Sequence, residues 1–145
     1  NPAVLKVIDI YDIKERVYTA DGLDIMMKRL VTVKNKNKTV FWFRIQNSTG
    51  QPLNIPPNRV DIEGTEKFVV ALEQFRGELE PNEVMDIYYI ANGITKEETI
   101  KLLLTVNGRR KRVKLTDIPY QEEEFNVFVK ESGQVLNLKL NNYQD

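Results

Sequence analysis

The chain has 145 residues, with 21 Lys plus Arg set against 21 Asp plus Glu, and it contains neither His nor Cys. That length suffices for one domain to bury its own core, and the zero net charge excludes a globally basic nucleic-acid coat. The missing His and Cys exclude Ser-His-Asp catalysis, thiol nucleophiles, zinc–thiolate and iron–sulfur centres and disulfides, which leaves carboxylate, Lys, Tyr or Ser/Thr chemistry.

The dominant hydrophobic period is two. Val4 to Ile13 carries the β-branched richness of a strand, Glu15 to Thr19 continues extended, and Asp21-Gly22 reads as a turn. Leu23 to Lys34 has Met and Leu enough for a short helix. Its second half, Arg29 to Lys34, alternates and is β-branched, so the segment reads as a strand. After the polar loop Asn35 to Lys38 comes Thr39 to Gln46, the most strongly β-favouring run. Phe41, Phe43 and Ile45 share one face and Val40 and Trp42 the other, which predicts a central strand covered on both sides.

Asn47 to Pro52 gathers turn formers, Pro56-Pro57 forbids regular ladder pairing, and Arg59 to Glu63 alternates again before Gly64. Lys67 to Phe75 is expected to place Phe68, Val70 and Leu72 on one face. Val84 to Ala91 is a further strand, and Lys96-Glu97-Glu98 is a candidate for one helical turn. The clearest local signal is a hairpin, Thr99 to Val106 and Arg109 to Leu115 about Asn107-Gly108, because Asn-Gly tolerates the positive φ angles of a type I′ turn. A second hairpin is expected from Phe125 to Lys130 and Val135 to Leu140, about Glu131 to Gln134. Roughly ten short strands with regularly spaced turns predict an all-β, two-sheet antiparallel sandwich, immunoglobulin-like or jelly-roll-like, over residues 1–145 as one domain.

Five cations, Arg109, Arg110, Lys111, Arg112 and Lys114, lie at and just after the Asn107-Gly108 turn. Alternation puts Arg110, Arg112 and Lys114 on one face and Lys111, Val113 and Leu115 on the other. This comb suits an anionic partner surface, and it equally suits a sheet edge protected by charge against self-pairing. Nucleic acid is disfavoured, since the aromatic–basic interleaving of a single-strand binder is missing. Lys34, Lys36 and Lys38 form a looser cluster that would reinforce the first only at the same end of the sandwich.

Carboxylates cluster at Glu78, Glu80, Glu83 and Asp86, at Glu97 and Glu98, and at Glu122 to Glu124, in sequential loop-borne runs that read as solvated faces. Asn37-Lys38-Thr39 and Asn47-Ser48-Thr49 match the glycosylation acceptor pattern but read first as turn chemistry. No cofactor or metal is implied, and no apolar run is long enough to span a membrane.

The run Phe41 to Leu53, followed by Leu79-Glu80-Pro81-Asn82-Glu83, resembles immunoglobulin-like sandwich modules common on prokaryotic surfaces and in envelope machines. In those modules an aromatic strand enters an Asn-containing turn, and a later Leu-x-Pro turn precedes the next strand. The likeness covers about residues 23–115 and lacks the Cys pair of antibody domains. It implies a binding or assembly role by analogy and transfers no site residues.

Beyond that likeness lie residues 1–14, an apolar stretch, and residues 120–145. In filament subunits such an N-terminal strand inserts into a neighbour's sheet, which makes Val4, Leu5, Val7, Ile8 and Ile10 a candidate assembly arm. The chain begins Asn1-Pro2-Ala3 rather than with Met, which reads as a processed start or a fragment, with a signal peptide as one candidate for the missing piece.

The leading expectation is therefore a non-enzymatic structural subunit working by protein–protein contact, as a homo-oligomer or in a larger filament, virion or envelope assembly. An extracytoplasmic or particle-surface setting is expected, with the cytoplasm left open. The alternative is an immunoglobulin-like adaptor of a secretion or conjugation machine using residues 109–114. A carboxylate-dependent hydrolase ranks last.

Overall fold

A computed structural model describes residues 3–5, 8–73, 78–123 and 127–129. The strands in chain order are β1 (Ala3–Leu5), β2 (Ile8–Ile13), β3 (Val17–Ala20), β4 (Leu23–Val33), β5 (Lys38–Asn47), β6 (Asp61–Ile62), β7 (Glu66–Glu73), β8 (Val84–Asn92), β9 (Ile100–Val106), β10 (Arg109–Leu115), β11 (Tyr120–Glu123) and β12 (Val127–Val129). There is no α-helix among the described residues, only two single 3-10 turns at Lys34–Lys36 and Pro57–Arg59. The large sheet has the order β11-β2-β4-β5-β8-β7, with β3 also on β4; the small sheet is β10-β9-β6; β1 pairs with β12. All pairings are antiparallel, and the two larger sheets pack together as the expected sandwich.

Alternation builds the core. Leu23, Ile25 and Met27 of β4, Phe41, Phe43 and Ile45 of β5, and Met85, Ile87 and Tyr89 of β8 meet Ile62, Leu102, Leu104, Val113 and Leu115 of the small sheet. A bulge between Met27 and Arg29 shifts the phase of β4, so that Leu30 rather than Arg29 turns inward. β5 is central, between β4 and β8, and is buried on both faces: Val40 and Trp42 are enclosed as well as Phe41, Phe43 and Ile45. The Asp21-Gly22 turn joins β3 to β4 with both residues at positive φ, as a type I′ hairpin requires.

Two expectations are corrected. Phe68 does not share a face with Val70 and Leu72: a bulge between Lys67 and Val69 breaks the alternation, leaving Phe68 exposed under the Lys38 ammonium while Val70 and Leu72 pack on the core. The alternation of Arg59 to Glu63 holds, with Val60 and Ile62 buried, although only Asp61–Ile62 pairs as a strand because Pro56-Pro57 lead into a 3-10 turn. Residues 96–98 form no helical turn.

The two ends of the chain pair with each other. Tyr120–Glu123 lies antiparallel to Ile10–Ile13, and Val127–Val129 antiparallel to Ala3–Leu5. Of the candidate arm, Val4 and Leu5 lie opposite Phe128 and Val127, Ile8 and Ile10 lie opposite Val33 and Val31 of β4, and Val7 is outside the described residues. β2 thus has a neighbour of its own chain on each side. The second strand of the expected C-terminal hairpin, Val135 to Leu140, also lies outside the described residues.

Candidate functional site: the basic edge strand

The Asn107-Gly108 hairpin forms as its sequence predicts, with φ of 49° and 79° at its two turn residues and seven consecutive residue pairs from Arg109↔Val106 to Leu115↔Ile100. A two-residue turn makes Val106 and Arg109 the closing hydrogen-bonded pair, so the N–H and C=O groups of Arg109, Lys111, Val113 and Leu115 face β9. Those of Arg110, Arg112 and Lys114 face away from it. β10 ends the small sheet, so among the described residues no strand lies beside this second row.

Among the described residues the other edges of the two larger sheets are blunted. β6 is two residues long, β7 carries the bulge at Phe68, and β11 spans four residues. Among the described residues, β10 is the longest unbulged strand paired on one side only.

The side chains of β10 divide as predicted: Val113 and Leu115 are buried, Arg110, Arg112 and Lys114 exposed, and Lys111 is intermediate. Three of the five cations are committed within the chain. The Arg110 guanidinium donates to Asp61 at 2.6 Å, to Thr105 at 3.2 Å and to the Arg59 carbonyl. Lys111 pairs with Asp21 at 2.6 Å, and Arg112 with Glu63 at 2.8 Å. Asp61 also accepts from Lys67 at 2.9 Å. Burial pushes the Asp61 carboxyl up, but the hydrogen bonds from Lys67 and Arg110 outweigh it and hold the group below its ordinary value. At Asp21, the hydrogen bond and charge of Lys111 likewise lower the carboxyl. Sequence reasoning missed these acids because Asp61 and Glu63 lie 49 residues from their arginines and Asp21 lies 90 from Lys111. Arg109 and Lys114 have no ion-pair partner among the described residues.

A cleft of about 470 Å³ opens beside Arg112, floored by Phe41, Ile62 and Ile100, with Glu63, Glu97 and Lys101 among its polar lining. Thr65, Thr95 and Thr99 also line it. Thr65 is fixed by a 2.8 Å hydrogen bond with the Tyr89 hydroxyl.

The remaining candidates are accounted for locally. Lys34 to Lys38 sits at the β4–β5 turn, whereas Lys111 reaches the β3–β4 turn at the opposite end of β4, so the two basic clusters do not combine. Asp86 forms a two-point pair with Arg44 at 2.8 and 3.1 Å, and Glu83 accepts the Glu80 N–H at 2.7 Å. No group of three potential metal ligands occurs among the described residues. Asn47 is fully buried and its amide donates to the Gln51 and Leu79 carbonyls at 2.7 and 2.9 Å, fixing the 48–52 loop, while Asn37 lies exposed at a left-handed turn.

No family model and no curated protein sequence matches the chain. Among solved structures, the yeast GGA1 GAE domain aligns with 14% identity over 78% of this chain and 98% of that one, at a TM-score of 0.38. At that similarity the likeness assigns neither family nor activity.

Proposed function

We propose that this chain is a non-catalytic β-sandwich module that works by protein–protein contact, capturing an extended segment of a partner on the outer edge of β10. The observation that carries this reading is a seven-residue, unbulged edge strand with an outward row of main-chain donors and acceptors. Such an edge is a template for strand addition, in which main-chain hydrogen bonds supply affinity and alternate side chains supply selectivity. Docking at β10 is favoured over exchange of the N-terminal strand, because among the described residues β2 has neighbours of its own chain on both sides and β10 has one.

The test is a selection of random heptapeptides on the chain and on Arg112→Pro. Proline at this position removes one outward N–H and no bond to β9, and an exposed ion pair contributes little, so the variant keeps the fold. Peptides enriched on the unaltered chain are expected to lose binding to Arg112→Pro while its circular dichroism stays unchanged. Equal binding to both would overturn the reading.

A further inference from the structure

We infer, resting on the reading of β10 as a docking edge, that the occupant is an acidic extended segment of a protein partner and that Lys101 and Lys114 read its carboxylates. On the outer face of the small sheet, β9 and β10 set Thr105 opposite Arg110, Leu103 opposite Arg112, and Lys101 opposite Lys114. Counting from the closing pair Val106–Arg109, Lys101–Lys114 is a non-hydrogen-bonded pair, the class in which Cα atoms come to about 4.5 Å and side chains are closest. Like charges directly opposite each other there are destabilising. Around them the chain compensates its cations: Lys67, Arg110, Lys111 and Arg112 each meet an acid. Neither Lys101 nor Lys114 has an ion-pair partner among the described residues.

Protection of the edge does not account for the pair. A cation on β10 guards that edge, but Lys101 is a half-buried residue of β9, which has β10 on one side and β6 on the other, and it borders the cleft lined by Glu63 and Glu97 rather than the open edge. A strand added beyond β10 would run about 4.8 Å from it and lay alternate side chains on the same face as Lys114. A Glu at that row lies within reach of Lys114, and the flexible four-carbon stem of Lys101 brings the second ammonium to the same carboxylate. The bound segment thus sets a carboxylate beside two like charges. A nucleic acid strand offers anions but no main-chain ladder to pair with the outward groups of Arg110, Arg112 and Lys114.

Three probes test this on the full chain at low salt: a nine-residue peptide alternating Val and Glu, the same peptide with Gln for Glu, and a nine-nucleotide oligothymidylate. The Glu peptide is expected to bind about threefold tighter than the Gln peptide, the size of one exposed ion pair, with the advantage shrinking as salt rises. Lys114→Glu is expected to abolish that preference and to raise the melting temperature by about 1–3 °C, since the like-charge pair becomes an opposite-charge pair. Equal binding of the two peptides, no binding of either, oligothymidylate binding as tightly as the Glu peptide, or an undiminished preference in Lys114→Glu would each overturn the inference. If both peptides bind equally and both are lost on Arg112→Pro, edge docking stands and only the acidic partner falls. If Arg112→Pro keeps them, the docking reading itself fails.

Discussion

Asp61 is the residue on which the outer face of the small sheet converges, accepting from Lys67 at 2.9 Å and Arg110 at 2.6 Å. Its carboxyl is held below its ordinary value of 3.8, so the charged form is favoured by folding. The sign follows directly: the contribution is fully present above the unfolded value and is lost as pH falls through the lower, folded one. Asp61→Asn is therefore expected to cost about 0.5–1 kcal/mol at neutral pH, the range for partly exposed pairs, and the gap to the parent chain should close as the pH falls below about 3.8. Thermal melts from pH 7 to pH 2 check this; a gap that does not shrink over that range would contradict it. At this scale the sequence was least legible. Alternation divides its five clustered cations by face but cannot show that Arg110, Lys111 and Arg112 are tied to acids while Lys114 lies opposite Lys101.

The β9–β10 hairpin was the element most legible in the sequence, because its cause is local: Asn-Gly between two alternating runs dictates a type I′ turn and with it the whole register. β5 was legible for a similar reason, its apolar residues occurring on both parities and so requiring cover on both faces. Phe68 was misplaced because a bulge inserts one residue into β7, and alternation counted along the sequence cannot see it. The pairing of residues 10–13 with 120–123 was out of reach, since register between segments more than a hundred residues apart leaves no local trace. The turn also sets which groups of β10 face outward, so Gly108→Val, which forces a β-branched side chain to a φ of +79°, is expected to cost about 1–2 kcal/mol. Urea denaturation should show a lower midpoint with an unchanged slope. An unchanged midpoint would mean that the turn does not fix the register of β10.

The whole molecule is a sandwich whose edges are treated unequally. On the large sheet, β7 is bulged and β11 is short; on the small sheet, β6 is two residues long and β10 runs seven residues without a bulge. A sheet left open at one long edge, with cations on the strand that borders it, either repels all strands or selects those of opposite charge. The acids placed beneath Arg110, Lys111 and Arg112 argue for selection, because they cancel much of the charge that general repulsion would need. The measurement that tests this most directly is amide hydrogen exchange across β10, residue by residue, with and without the alternating Val–Glu peptide. In the free chain the amides of Lys111, Val113 and Leu115, which pair with β9, should exchange slowly, and those of Arg110, Arg112 and Lys114 quickly. Added peptide is expected to slow the second set selectively; protection that leaves Arg110, Arg112 and Lys114 unchanged while the peptide is bound would contradict docking at this edge.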